Sequence, residues 1–190
     1  MSKPIEIKAV LFDLEGTLVD FQWNLKDAAA EILDLLAAFD IDPCILGPHP
    51  DYARLYNTTQ DIIKAWPRDR KTELLKQLGT VYDRYDADAL SRWKLYPDTL
   101  DTLESLAQET IPMGVVSNCG RNAVDKVVKK FQLHPFFKLI ITRNDVTFVK
   151  PHPQGLALAC RQISLPAVNT LYVGDSVNDI VPATRIGMPS

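Results

Sequence analysis

Two acidic turns far apart in the chain, each following a short run of strand-forming residues, constrain the fold more than any other feature. The first is Ala9 to Asp20, AVLFDLEGTLVD; the second is Thr170 to Ile180, TLYVGDSVNDI. In each, a β-type run (Val10-Leu11-Phe12, then Leu171-Tyr172-Val173) leads straight into carboxylates and a glycine. Charged groups at the mouth of a buried strand need something to pair them. If the two strands lie side by side in a parallel sheet, Asp13, Glu15, Asp175 and Asp179 converge. Carboxylates that close repel one another and shift their pKa values unless a divalent cation holds them. Oxygen-only ligands select hard cations, so the expected occupant is Mg²⁺.

The rhythm of the rest agrees with such a sheet. From Asn24 to about Trp93 the signals are helical throughout. Leu25, Ala28, Ile32, Leu35 and Phe39 recur at three-to-four spacing and predict one amphipathic helix. After the break at Pro43 to Pro50, a second helix is predicted from Asp51 as N-cap to Trp66, where Pro67 stops it. A third is predicted over Asp69 to Tyr85. Beyond Tyr96-Pro97, helix and strand alternate. Strands are predicted at Lys8 to Leu14, Ile111 to Val116, Leu139 to Thr142 and Thr170 to Val173, and helices at 98–108, 122–131, 153–163 and 178–186. Such alternation implies βαβ units and a parallel sheet covered on both faces. The reading is an α/β fold, a Rossmann-like parallel sheet core (residues 1–20 and 95–190) with a helical cap domain (residues 21–94) inserted after the first strand. Ligands bind such sheets at the carboxyl ends of strands, where both acidic turns, Ser117 and Lys150 are expected.

Composition excludes some partners. The chain carries a net charge of −3, against the basic face that nucleic acid would need. Its three cysteines, Cys44, Cys119 and Cys160, are too few and too scattered for a disulfide framework or a zinc site, and a reducing, cytoplasmic setting is expected. The N-terminal MSKPIEIK lacks a signal-peptide core, and no apolar run approaches membrane-spanning length, so no membrane partner is expected.

Asp13, at a strand end, could attack an electrophile above the sheet edge, with Glu15 exchanging a proton beside it. A nucleophilic carboxylate next to a protonatable one is a recurrent solution for phosphoryl transfer. Gly16 permits the tight turn, and Thr17 offers a hydroxyl and an N–H to metal or phosphate. Ser117-Asn118, before a helix, could bind an anion, although either residue capping that helix is the plainer explanation. Lys150 in VKPHP reads by itself as a solvated loop residue; beside a transferring phosphoryl group its ammonium would offset charge. The histidines His49, His134 and His152 show no ligand spacing and read as surface residues. Cys119 reads as space-filling rather than as a redox sensor, Trp23, Trp66 and Trp93 as cap core, and Arg54, Lys64 and Arg68 equally as substrate contacts or a solvated helix face.

Taken together, four such signals at successive strand ends resemble the haloacid dehalogenase superfamily. Its first motif, D-x-D-G-T, has its counterpart in Asp13-Leu14-Glu15-Gly16-Thr17, its second in Ser117, its third in Lys150-Pro151 and its fourth, G-D-x-x-x-D, in Gly174 to Asp179. The resemblance implies a Rossmann-like core with a C1 cap, Mg²⁺ dependence and an aspartyl-phosphate intermediate, in a layout similar to phosphoglycolate phosphatases. It makes Asp13, Glu15 and Lys150 catalytic, Thr17, Ser117, Asn118 and Lys150 substrate-binding, and Asp13, Glu15, Asp175 and Asp179 metal-binding. The implied activity is that of a phosphomonoesterase acting on a small phosphorylated metabolite; a phosphomutase on the same scaffold and a non-catalytic regulatory relative are the alternatives. Two features depart from the pattern. Glu15 replaces the usual second aspartate, as in the enolase-phosphatase branch, and favours phosphate chemistry over dehalogenation. Relatives usually continue into another strand beyond Gly187 to Ser190, so either a shortened sheet edge or a truncated sequence is expected there.

Overall fold

The computed structural model describes residues 5–20, 22–47 and 50–190. Phe21, at the start of the expected cap, and His49 lie outside the described residues, as do Pro48 and the first four of the N-terminal segment. Four short strands, β1 (Ala9–Phe12), β2 (Met113–Val116), β3 (Phe137–Ile141) and β4 (Thr170–Val173), make one parallel sheet in the order β3-β2-β1-β4. β1 matches β4 residue for residue, from Ala9 opposite Thr170 to Phe12 opposite Val173. The chain steps outward from β1 to β2 and β3, then returns to lay β4 on the other side of β1. The strand order therefore reverses at the β1–β4 boundary, the place where open α/β sheets hold ligands.

Three strands are displaced from their expected limits. β1 and β2 are shorter; β2 begins only at Met113, because Pro112 has no N–H to give a ladder, though its carbonyl accepts from Val10 N at 3.0 Å. β3 starts earlier than Leu139 and ends before Thr142, since Phe137 and Lys138 form the half-exposed start of an edge strand. At the opposite edge the C-terminal segment lies against β4, where Tyr172 N donates to Pro189 O at 2.8 Å.

Between β1 and β2 come α1 (Leu25–Ala38), α2 (Tyr52–Ile62) and α3 (Arg68–Arg92), followed by α4 (Thr99–Gln108). Asp51 caps α2 as expected, its Oδ1 accepting from Arg54 N at 2.7 Å. α2 stops at Ile62 rather than Trp66, tightening into a 3-10 turn over Ile63–Ala65. α3 runs past Tyr85 to Arg92, because Asp86, which breaks the apolar stripe in sequence, is itself buried and paired, and Ala89 carries the stripe onward. The apolar faces of α1 and α3 (Ile32, Leu36, Leu74, Leu78, Tyr82) continue without interruption into Val10 and Phe12 of the sheet.

The helices α5 (Arg121–Lys130), α6 (Gln154–Ile163) and α7 (Val177–Arg185) complete the layers. Side chains alternate along a strand, so β1 serves both faces. Val10 and Phe12 pack with Leu103 of α4 and Val124 and Val127 of α5, while Leu11 packs with Leu156 of α6 and Ala183 of α7. The two connections to the helical insertion are tied together as a short ribbon. Val19 bridges antiparallel to Leu95, Asp20 N donates to Lys94 O at 3.0 Å, and Lys94 N donates to Asp20 Oδ1 at 2.7 Å.

Candidate active site

Asp13 is the first residue past β1, and its amide donates to Val173 O at 2.8 Å, extending the β1–β4 ladder by one step. That bond sets the side chain at the sheet edge, almost fully buried. Lys150 comes from the loop after β3 and is only 3% exposed; its Nζ lies 2.7 Å from Asp13 Oδ1, 2.5 Å from Asp179 Oδ1 and 2.7 Å from Tyr172 Oη. A buried ammonium requires such partners. Burial favours the neutral amine, but the Asp13 and Asp179 carboxylates outweigh it and hold Lys150 above the usual lysine pKa. Burial likewise raises Asp13, to about 6, with Lys150 opposing the rise and Asp179 adding to it. A cation bound beside Asp13 would act in the same sense as Lys150 and keep it ionised.

Asp179 stands at the third position of α7 and forms a capping box with Ser176. Its Oδ2 accepts from Ser176 N at 3.1 Å and Ser176 Oγ at 2.6 Å, while Oδ1 takes Lys150 and, at 3.0 Å, Tyr172 Oη. Burial resists its ionisation, yet Lys150 and these hydrogen bonds together hold its carboxyl below the usual range. Both oxygens of Asp179 are thus already engaged. Asp175 is exposed, and one of its oxygens lies within 4.8 Å of oxygens from Asp13 and Asp179. This is an oxygen-only donor set of the size that suits a hard divalent cation. Two glycines let the acidic turns interlock. Gly16 has φ +84°, and a Cβ on it would stand 2.3 Å from Asp175 Oδ2; a Cβ on Gly174 would stand 2.4 Å from Asp179 Cβ.

Glu15 turns away from the three aspartates. Its Oε1 accepts from Trp93 Nε1 and its Oε2 from Cys119 Sγ, each at 3.0 Å. Burial pushes its carboxyl up to about 8, with Asp86 and Asp13 adding to the rise and the Cys119 and Trp93 bonds opposing it. Glu15 therefore keeps its proton to a higher pH than an exposed glutamate would. Burial, with the Glu15 and Asp86 carboxyl groups close by, also holds the Cys119 thiol well above its ordinary pKa, so it stays a thiol rather than a reactive thiolate.

Ser117 follows β2 and is buried, its Oγ accepting from Cys119 N at 3.1 Å. Neither Ser117 nor Asn118 caps α5; that position is Gly120, with no side-chain cap. Asn118 instead braces the lysine loop, giving Nδ2–H to Lys150 O at 3.0 Å and accepting from Lys150 N at 2.9 Å. A cavity of about 240 Å³ opens over these groups, with Asp13, Glu15, Ser117, Asn118 and Lys150 at its base. Thr17 does not line it; its hydroxyl is buried without a hydrogen-bond partner.

The haloacid dehalogenase-like hydrolase family model matches residues 10–190. The chain belongs to this family. A phosphoglycolate phosphatase from Photorhabdus laumondii is 31% identical over 191 residues, covering 96% of this chain and 78% of the relative. A HAD-superfamily hydrolase from Ehrlichia chaffeensis shares the fold with TM-score 0.59 at 23% identity, covering 98% of this chain and 87% of that one. CbbY from Rhodobacter sphaeroides, solved in complex with xylulose-(1,5)bisphosphate, does so with TM-score 0.60 at 18% identity, covering 97% and 87%. The family resemblance read from the four motifs and the α/β fold with its helical insertion both hold.

Several groups around the motifs of this family member carry little signal in the sequence. Tyr172 supports Lys150 from β4, and the one signal for it is a hydroxyl between the apolar Leu171 and Val173 ahead of Gly174-Asp175. Trp93, read as cap core, is buried but also holds Glu15. Arg54, Lys64 and Arg68 are exposed and none lines the cavity; His134 and His152 are exposed, as expected.

A buried ion pair joins the helical insertion to the sheet. Arg143, just past β3, is 3% exposed, and Asp86 of α3 is 1% exposed. Nη1 of Arg143 donates to Asp86 Oδ2 at 2.9 Å and also meets Tyr52 Oη, while Nη2 meets Asp83. Asp86 also accepts from Gly120 N at 2.8 Å and Trp23 Nε1 at 3.1 Å. Tyr52 Oη donates to Asn118 O at 2.6 Å, and Asn57 exchanges two 2.8 Å bonds with the backbone of Val149. Asn118 and Val149 adjoin Ser117 and Lys150, so the insertion is fastened to the loops that line the cavity.

Proposed function

We propose that this hydrolase is a Mg²⁺-dependent phosphomonoesterase acting on a small phosphorylated metabolite. The observation that carries the reading is Asp13 at the end of β1, held 2.7 Å from buried Lys150, with the Glu15 carboxyl, its pKa raised by burial, two residues on. An Asp13 oxygen attacks phosphorus, the bond from phosphorus to the leaving oxygen breaks, and Glu15 gives that oxygen its proton. This leaves an aspartyl phosphate on Asp13. Glu15, now ionised, takes a proton from water as the water oxygen attacks phosphorus; the bond to Asp13 breaks and inorganic phosphate departs.

A carboxylate and a phosphate dianion repel each other strongly in a buried site. Lys150 offsets that charge, and the Ser117 hydroxyl and nearby backbone N–H groups bind phosphoryl oxygens. Asp13, Asp175 and the backbone carbonyl of Glu15 would hold Mg²⁺, with Asp179, whose oxygens are engaged, acting through water. When bound, the ion neutralises phosphate charge. Thr17, with its unpartnered hydroxyl, is the remaining donor of the first motif. Residues 21–94 act as a lid on the core formed by 1–20 and 95–190, excluding water during transfer in the closed position that the Arg143–Asp86 pair fastens, with the Val19–Leu95 ribbon as hinge. Three free cysteines suit a reducing cytoplasm, and no helix among the described residues is long and apolar enough to cross a membrane.

The name of the Photorhabdus relative makes phosphoglycolate the first substrate to assay. Activity against a panel of phosphomonoesters should vanish in excess chelator and return with Mg²⁺; full turnover in chelator would contradict the reading. Glu15→Gln should slow hydrolysis of alkyl phosphates by on the order of 10²–10⁴-fold. The formation of the phospho-enzyme from an activated aryl phosphate should suffer much less, because that leaving group needs no proton. Equal losses for both substrate types would make Glu15 a loop-positioning residue instead.

A further inference from the structure

The insertion side of the cavity is built from Trp23, Leu25, Asp51, Tyr52 and Ala53. Its polar groups are nearly all spoken for. Trp23 gives its indole N–H to Asp86, and the Tyr52 hydroxyl donates to Asn118 O while facing Arg143. What these two residues present to the cavity is ring surface, their centroids 4.8 Å apart in an edge-to-face pair. Leu25 and Ala53 add apolar surface. The charged group of this wall is Asp51.

No cation faces Asp51 among the described lining residues. Lys150 is the sole cation among the described residues that line the cavity, and it is bonded to Asp13, Asp179 and Tyr172 on the phosphate side. Arg143 is buried behind Tyr52 and directed at Asp83 and Asp86. Arg54 lies against Gly47, where a Cβ would come within 2.8 Å of its Nη2, and stays outside the cavity. The positive end of α2 is the natural seat for a second anionic group on a substrate. In this chain Asp51 already sits there, its Oδ1 accepting from Arg54 N. A carboxylate on the leaving group would meet a like charge and, among the described lining residues, no free cation.

Resting on the phosphomonoesterase reading, we propose that this site selects phosphomonoesters whose leaving group carries no negative charge, packing on Trp23 and Tyr52 and donating a hydroxyl or ammonium hydrogen to Asp51. The geometry thus sets this chain apart from the substrate in its curated relative's name.

The test compares kcat/KM for glycerol 3-phosphate, phosphoethanolamine and phosphoglycolate with Mg²⁺ present, or their competition against p-nitrophenyl phosphate where turnover is slow. Phosphoglycolate should be the poorest by at least about tenfold. Asp51→Asn keeps a side chain that caps α2 equally well, so the fold stands. In that variant the ratio of phosphoglycolate to phosphoethanolamine should rise at least about fivefold. Phosphoglycolate matching or exceeding the other two, or an unmoved ratio in Asp51→Asn, overturns the proposal and leaves the phosphatase reading intact. Failure to hydrolyse any of them, p-nitrophenyl phosphate included, overturns both.

Discussion

Asp13→Asn is expected to remove turnover by about 10⁴-fold or more, because an amide oxygen cannot form the acyl phosphate. The fold should survive. Lys150 keeps Asp179 and Tyr172 as partners, and Asn removes the repulsion between Asp13 and Asp179 that helps raise the Asp13 pKa. The thermal midpoint of the variant should therefore match or exceed that of the parent protein. Kinetics with a saturating aryl phosphate, beside a thermal melt, decides the matter: near-parental turnover in a folded Asp13→Asn protein would remove the mechanism.

The second large effect concerns stability and lies away from the chemistry. Arg143→Met should destabilise the protein by about 3–5 kcal/mol, because it leaves Asp86 buried with no counter-charge. In a chain of this size that is roughly 6–20 °C in the unfolding midpoint. Adding Asp86→Asn should recover much of the loss, since a neutral amide can still accept from Gly120 N or Trp23 Nε1. Urea unfolding of the single and double variants closes the cycle. If Arg143→Met costs under about 1 kcal/mol, the pair behaves like a surface salt bridge and does not fasten the insertion to the sheet.

Much of the site was legible in the sequence because its chemistry is local. Each motif places charged or hydroxyl residues directly after an apolar run, and β4 and the Asp51 cap of α2 fall where the pattern puts them. Other features needed the third dimension. Asp86 in sequence looks like a solvated interruption of α3; it is buried because Arg143, 57 residues later, reaches it. Leu25 continues the stripe of α1 in sequence, yet is 37% exposed and lines the cavity. Nothing in the first motif tells that Glu15 points to Trp93 and Cys119, away from the aspartates. The same blindness affected Asn118, whose spacing before a helix suggests a cap while its two bonds go to Lys150. A residue's type and spacing reveal what chemistry it can do; which partner it meets depends on contacts distant in the chain.

In this mechanism phosphorus becomes bonded to an Asp13 oxygen during turnover. Rapid quenching of the enzyme mixed with Mg²⁺ and an aryl phosphate, followed by borohydride reduction, converts an aspartyl phosphate to homoserine that peptide mass spectrometry can locate. The account predicts homoserine at position 13, dependent on substrate and absent in Asp13→Asn. Homoserine at Asp175 or Asp179, or none at all in an enzyme quenched while turning over, would contradict it.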